Sequence, residues 1–259
     1  MGYPNVRAAA EPTQTNALNQ RYENAVKWAG SGGAIDNLTA FEDAVSRSSA
    51  VVNVDLFFLK EFITDTRALY TTYQLAVGAQ TRQAAEDERD RHRSAVDAIL
   101  FGSYASQIRF AALSLDGRGL KSYGAYAMIL RDVAVWKRST VLEENSFAFV
   151  KRHELKPGDS APAGYRAIWQ DRKKLAIAKL GALIKSDTSG DKFASLLLYS
   201  DGVDRTKDEF IEVQIFGPFN SEAIEAVCGS SSCKRSVDTS IAVIVKEMTT
   251  NGGKSWIEE

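Results

Sequence analysis

The clearest strand pattern in the sequence is Asp208-Glu209-Phe210-Ile211-Glu212-Val213-Gln214-Ile215-Phe216-Gly217-Pro218. Aliphatic residues alternate in it with polar or aromatic ones, which predicts a strand that ends at the Gly-Pro turn. Successive side chains of a strand point to opposite faces, so one face is aliphatic and packs into a core. The members of this face are Ile211, Val213 and Ile215.

The opposite face of the strand combines polar and aromatic groups. Its members are Phe210, Glu212, Gln214 and Phe216. Two Phe side chains rarely share a fully solvated face, so this face is expected to line a cleft or a half-covered surface. An edge strand whose Glu212 and Gln214 simply meet water is the alternative, and the segment alone does not separate the two.

The chain changes character near residue 100. Residues 1–105 have helical spacing, with helices expected at 18–29 and 37–45 and a long helix carrying a buried stripe from Val51 to Val77. Residues 86–93 alternate acidic and basic side chains, which is typical of a solvated helix face. After Gly102, short apolar runs are separated by Gly, Asp and Ser, which predicts strands. We therefore expect an α+β protein with a helical region at 1–101 and a compact mixed-sheet domain at 102–259.

The same patterns place the elements of the second region. Strands are expected at 107–115, within 123–135, and at 146–151, 193–199, 209–216 and 237–245. Helices are expected at 166–184 and 221–227.

The composition excludes several classes of protein. The chain has 259 residues, with 32 Lys+Arg against 33 Asp+Glu and a formal charge of −1. This balance disfavours a dedicated nucleic-acid coat or a polybasic membrane binder. The sequence has no run of about 18 uncharged apolar residues, so no membrane span is expected. Residues 1–19 lack the apolar core of a classical signal peptide, so we expect a cytoplasmic protein or one delivered to a target cell by a specialised secretion route.

Cysteine and histidine offer little for metal or redox chemistry. Cys228 and Cys233 enclose a Gly-Ser-Ser-Ser loop, a spacing that differs from CxxC, so they are expected to be reduced surface thiols, with a disulfide as the alternative. The two histidines, His92 and His153, lie in polar surroundings. We therefore expect chemistry that uses carboxylates, amides and hydroxyls without a metal ion.

Four segments of the second region carry a resemblance to a known family. They are Gln107-Ile108-Arg109-Phe110, Tyr123-Gly124-Ala125-Tyr126-Ala127-Met128-Ile129-Leu130, Arg138-Ser139-Thr140-Val141-Leu142-Glu143-Glu144-Asn145-Ser146 and Phe210-Ile211-Glu212-Val213-Gln214. Together they resemble the ADP-ribosyltransferase-like toxin and effector domains of bacteria. The resemblance implies a compact α+β fold of that type, NAD as the substrate, a protein or nucleic-acid acceptor, and an immunity protein as a second partner.

The resemblance also implies roles for particular residues. Arg109 would hold the dinucleotide, Ser139 and Thr140 would shape the nicotinamide pocket, and Glu212 would bond the ribose. The chain departs from the family in two places: the central triplet reads Arg-Ser-Thr instead of Ser-Thr-Ser, and Phe210 stands where a Gln or Glu is usual. The second departure disfavours transfer to an arginine side chain.

The expected chemistry suits these groups. Cleavage between nicotinamide and ribose builds positive, oxocarbenium-like character on the sugar, which the Glu212 carboxylate would stabilise. Gln214 would orient the sugar or the acceptor. Phe216 or Tyr123 would form an apolar wall for nicotinamide, and Asn145 would contact the ligand. A pocket that brings Arg109, Ser139 and Glu212 together would distinguish such an enzyme from its rivals.

Two other functions stay open. In the first, the protein is a non-enzymatic interaction protein that works through its helical half. In the second, a metal-dependent nuclease uses an acidic run, namely Asp201, Asp204, Asp208, Glu209 and Glu212. Gln214 occupies the place where such a nuclease needs a Lys, which disfavours that reading. The adjacent Glu143 and Glu144 would point to opposite faces of an extended chain, so an acid/base pair is disfavoured there.

Overall fold

The computed structural model of the protein describes residues 2–71 and 88–259, without the side chains of 88–92. Its centre is an eight-stranded mixed sheet with the order β5-β4-β6-β2-β1-β3-β7-β8. All neighbouring strands are antiparallel except β7 and β8. The strands are β1 (Ser49–Val54), β2 (Ile108–Ser114), β3 (Tyr126–Leu130), β4 (Ser139–Leu142), β5 (Arg166–Ile168), β6 (Glu212–Phe216), β7 (Ile224–Gly229) and β8 (Ser255–Glu258).

Helices cover both faces of this sheet. They are α1 (Pro4–Ala9), α2 (Pro12–Ser31), α3 (Ile35–Ser46), α4 (Leu56–Thr64), α5 (Glu88–Phe101), α6 (Asp132–Val135), α7 (Ser146–Arg152), α8 (Arg172–Leu180), α9 (Phe193–Leu197) and α10 (Ser236–Asn251). A 3-10 segment, Gly102–Gln107, joins α5 to β2. Among the described residues, no helix has the length and apolarity that a membrane crossing requires.

The two regions expected from the sequence share the one sheet. β1 comes from the region expected to be helical, and it lies between β2 and β3. The predicted long helix from 51 onward is therefore wrong at residues 51–54, where three valines favour a strand. Asp55 ends the strand and caps α4, since its side chain accepts a hydrogen bond from the Phe58 N–H at 2.8 Å. Tyr73 and Val77, at the far end of the predicted stripe, lie outside the described residues.

Some of the predicted helices and strands are confirmed, and several short apolar segments predicted as strands are helices. The helices expected at 18–29 and 37–45 and the strands expected at 107–115, 123–135 and 209–216 are confirmed by α2, α3, β2, β3 and β6. The strands expected at 146–151, 193–199 and 237–245 are wrong, because these residues form α7, α9 and part of α10. The helix expected at 221–227 is wrong beyond its first turn, since β7 begins at Ile224. At 166–184, β5 precedes the expected helix.

The two faces of β6 lie in different cores, as its alternation predicts. Val213 and Ile215 are fully buried in the larger core, which also contains side chains of α2, α3, α4 and α8. Phe216 borders a smaller core under α5 and α7, whose buried members include Leu100, Phe101 and Phe149. The face that carries Glu212 is thus covered by two helices and is not an open cleft.

Candidate active site

The polar face of β6 meets its antiparallel neighbour β4. Thr140 lies opposite Gln214, and Leu142 lies opposite Glu212. Thr140 Oγ1 donates to Gln214 Oε1 at 3.3 Å, and Gln214 Nε2 donates to Glu212 Oε1 at 3.1 Å. The Gln214 amide therefore connects the Thr140 hydroxyl to the Glu212 carboxylate, and all three side chains are buried.

The first residue of α7 supplies the other donors to the carboxylate. The Ser146 N–H donates to Glu212 Oε2 at 3.2 Å, and the Ser146 hydroxyl donates to Oε1. Asn145 fixes this end of α7, since its Oδ1 accepts from the Phe147 N–H at 2.9 Å. Both oxygens of Glu212 thus accept hydrogen bonds, which fixes the orientation of the carboxylate. We call Thr140, Ser146, Glu212 and Gln214 the Glu212 cluster.

α5 packs over the Glu212 cluster. Arg93 Nη2 lies 3.8 Å from Glu212 Oε2, and Arg93 Nε lies 3.0 Å from Asp97 Oδ1. The guanidinium also lies over the Phe110 ring, 3.9 Å from its centroid. Glu212 is consequently only 2% exposed. The charged run at 86–93 was expected to be a solvated face, and this is wrong for Arg93, which points toward the sheet.

Asp97, also on α5, lies close to this cluster. Burial raises its pKa from the ordinary 3.8 to about 6; the Glu212 carboxylate acts in the same direction and the Arg93 guanidinium opposes both. The folded protein therefore holds this proton more tightly than the unfolded chain does. As a result, the contribution of Asp97 to the free energy of unfolding falls as pH rises from about 4 to about 6.

We expect Asp97→Asn to remove this pH-dependent component. Across the window from pH 4 to 6 the variant should gain up to about 3 kcal/mol relative to the wild type, because it keeps a neutral side chain at every pH. Urea unfolding of both proteins at pH 4, 5, 6 and 7 measures the difference. Asp187→Asn, at an exposed position, serves as the control. A difference that does not change with pH would contradict the assignment.

Arg166, on the edge strand β5, was not singled out by the sequence. It lies opposite Leu142, whose other neighbour is Glu212, so the three side chains share one face of the sheet. Its Nε and Nη2 are buried and find no hydrogen-bond acceptor among the described residues. Burial lowers its pKa, while Tyr104 and Glu212 raise it. Arg166 begins the segment 166–184, for which a helix was expected. Its place beside Glu212 depends on the pairing of β5 with β4, which the sequence does not show.

Two residues that the resemblance singled out lie on the other face of the sheet. Arg109 and Ser139 each lie opposite Ile215, so their side chains are on the same face as Ile215. The sheet therefore separates both side chains from Glu212. Arg109 Nε donates to the Tyr70 carbonyl at 3.1 Å, and its Nη1 donates to the Ser106 carbonyl at 2.9 Å. Because consecutive strand residues point to opposite faces, Ser139 and Thr140 do not both reach Glu212. The structure therefore does not gather Arg109, Ser139 and Glu212 around one pocket.

The other residues expected at the site have separate surroundings. Phe216 borders the cluster, with its ring 5.3 Å from Tyr3 and 6.3 Å from Tyr104. Tyr123 lies in a 3-10 turn, is 39% exposed and stacks under Arg205. Asn145 adjoins the cluster through Ser146, but its side chain caps α7.

The alternative carboxylate sites are occupied by structural contacts. Asp201 and Asp204 accept hydrogen bonds within their own turn and approach Lys207. In the part of the chain that the structure describes, no group of three His, Cys, Asp or Glu side chains is arranged to hold a metal ion. Glu143 pairs with Arg21 at 2.6 Å and with Arg152. That network ties α2 and α7 to the end of β4.

The two cysteines are separate thiols. Cys228 is buried on β7, so the expectation that it is a surface thiol is wrong. Cys233 is half-buried, and its Sγ lies 3.4 Å from the Tyr126 hydroxyl.

A groove of about 440 Å³ lies on another part of the molecule, at the end of β3. Its lining includes Asp132, Trp169 and Arg172. These polar groups are paired, since Trp169 Nε1 donates to Asp132 at 2.7 Å and Arg172 donates to Ser48 and to the Trp169 carbonyl. Asp132, Trp169 and Arg172 are therefore held by contacts within the fold.

Comparison of the sequence with protein-family models gives no match, and comparison with curated proteins gives none either.

Proposed function

We propose that the protein consumes NAD, either by transferring ADP-ribose to a macromolecular acceptor or by hydrolysing the dinucleotide. The observation that carries this proposal is the Glu212 carboxylate, buried and held by Ser146 and Gln214 beside the guanidinium groups of Arg93 and Arg166. A fixed carboxylate in a site of low dielectric is the group that stabilises a developing sugar cation. The Nε and Nη2 donors of Arg166, which find no acceptor among the described residues, suit a ligand that carries phosphate.

The reaction needs little more than this carboxylate. The bond between nicotinamide nitrogen and ribose C1′ breaks, its electron pair leaves with nicotinamide, and the cationic leaving group departs neutral. The positive charge that forms on the ribose faces Glu212 in our proposal. Water, or a nucleophile on a protein or nucleic acid, then bonds to C1′ and loses a proton.

The proposal extends to an ADP-ribosyltransferase type of fold and to a toxin or effector role. The strands β4, β6 and β2, which are adjacent in the sheet, contain parts of three of the segments that carry the resemblance. Thr140 and Gln214 join Glu212 on one face, which supports a shared site. Because α5 covers Glu212, substrate reaches the carboxylate only when this cover shifts.

A specific observation favours a second function. Arg109 and Ser139 lie on the face of the sheet opposite Glu212, and Arg93 already pairs with the carboxylate. If the cluster serves only to anchor α5 and α7, the protein is an interaction protein that works through its helical surface. This second function predicts no turnover of NAD.

We expect the wild-type protein to release nicotinamide from NAD in the presence of excess EDTA. Departure of a neutral nicotinamide needs no metal ion, whereas cleavage of a phosphodiester by a metal-dependent nuclease does. Chromatography of nicotinamide over time, with and without cell-extract acceptors, measures the rate. Loss of activity on chelation that magnesium or manganese restores would support the nuclease instead. The absence of release in every condition would support the interaction protein.

A further inference from the structure

We propose that Arg166 binds a phosphate group of the ligand that occupies this face of the sheet; the choice of a dinucleotide as that ligand rests on the proposed function, whereas the phosphate site itself does not. The family resemblance assigned the dinucleotide to Arg109, whose Nε and Nη1 already donate to carbonyl groups on the opposite face. Arg166 is therefore the better candidate.

The donors of Arg166 have the geometry that phosphate requires. Its Nε and Nη2 are buried without an acceptor among the described residues. These two nitrogens form one edge of the planar guanidinium, and their N–H bonds are parallel. That edge binds two oxygens of a single phosphate or carboxylate in a bidentate manner.

The Glu212 carboxylate, which raises the pKa of Arg166, does not supply the missing acceptor. Glu212 accepts from Ser146 and Gln214, and its Oε2 also lies near Arg93. A buried donor without a partner costs about 1–3 kcal/mol, and more when it is charged. The unpaired donors of the Arg166 guanidinium therefore lower the stability of the folded protein. An anion that accepted hydrogen bonds from them would remove this cost.

The spacing between Arg166 and Glu212 suits a sugar phosphate. Both residues lie opposite Leu142, one on each side, so their Cα atoms are about 10 Å apart at the usual strand separation. Their side chains lie on the same face with Leu142 between them, and a ligand that spans Leu142 would place an anionic group at Arg166 and a sugar carbon at Glu212. Orthophosphate alone would reach only the Arg166 end.

Two aromatic residues, Phe101 and Tyr104, lie beside Arg166 and affect how an anion reaches it. The Phe101 ring lies 5.8 Å from the guanidinium, and Tyr104 follows in the 3-10 segment. Gly102 joins α5 to this segment with a φ of +53°, a conformation that other residues rarely adopt. Because Phe101 and Tyr104 lie beside the guanidinium, we expect an anion that binds Arg166 to displace them.

Titration calorimetry with ADP and with pyrophosphate tests the site without requiring turnover. We expect the wild type to bind both probes, Arg166→Lys to raise Kd at least about 10-fold because it loses the bidentate edge, and Arg166→Met to abolish binding. Arg67→Met, at a side chain that is 93% exposed, should leave Kd unchanged. Without a probe, Arg166→Met should melt at or above the wild-type temperature, because it removes unpaired buried donors.

Each alternative outcome is informative. No binding of either probe by the wild type, or equal binding by wild type and Arg166→Met, would overturn the phosphate site. A folded Arg166→Met variant that melts well below the wild type would also overturn it, since Arg166 would then be structural. Probe binding that depends on Arg166 without nicotinamide release would reject the proposed function alone. Nicotinamide release with an unchanged KM in Arg166→Met would reject the phosphate site alone.

Discussion

Glu212→Gln should reduce nicotinamide release about 100- to 1000-fold while the fold stays intact. The substitution removes the negative charge that faces the developing sugar cation, which is the largest single contribution expected from this site. The amide keeps the volume of the carboxylate and still accepts a hydrogen bond from Ser146. Initial rates at saturating NAD, compared with the melting temperature of each protein, separate loss of chemistry from loss of fold.

The matched control for this prediction is Glu222→Gln. Glu222 carries the same carboxylate but is exposed, at the turn before β7. Its replacement should leave the rate unchanged. A folded Glu212→Gln protein with wild-type turnover would remove Glu212 as the catalytic residue.

Phe62→Asp should strongly lower the free energy of unfolding. Phe62 is 3% exposed, and its ring lies within 6.3 Å of the rings of Phe58, Tyr70 and Phe219. An Asp at this position would bury an unpaired charge and leave a cavity, at a cost of about 4 kcal/mol or more. Urea unfolding followed by circular dichroism measures this cost.

Phe57→Asp on the same helix provides the control. Phe57 is 54% exposed, so the same substitution should change the free energy of unfolding by about 0.5 kcal/mol or less. Equal effects at the two positions would contradict the burial of Phe62 and the exposure of Phe57 on α4.

The sequence predicted helices and strands correctly where the hydrophobic pattern is compatible with only one type of secondary structure. Strict alternation in β6 required a strand, and the aliphatic face had to be buried. The run at 237–245 had no such restriction, because a short apolar segment fits a strand or a helix. In the structure Ala242, Val245 and Thr249 are buried at helical spacing against the core. Residues 51–54 show the converse, since their partners on β2 and β3 are distant in sequence and decide that they form a strand.

The candidate site was predictable along β6 and, at one position of β4, from the family resemblance. Glu212 and Gln214 followed from alternation, and Thr140 followed from the family resemblance. Ser146 was expected to lie on a strand, and its contact with Glu212 requires the docking of α7. Arg93 and Arg166 depend on how α5 packs and on the pairing of β5 with β4, and neither is encoded in a local pattern.

A crystal structure of Glu212→Gln with NAD would show whether the dinucleotide binds at Glu212, because the inactive variant should retain it intact. We expect the nicotinamide ribose beside residue 212, with a phosphate at the Nε and Nη2 edge of Arg166 and with α5 displaced. Dinucleotide bound on the opposite face, beside Arg109 and Ser139, would contradict it. So would crystals grown at saturating NAD in which α5 stays closed over residue 212 and no dinucleotide is bound.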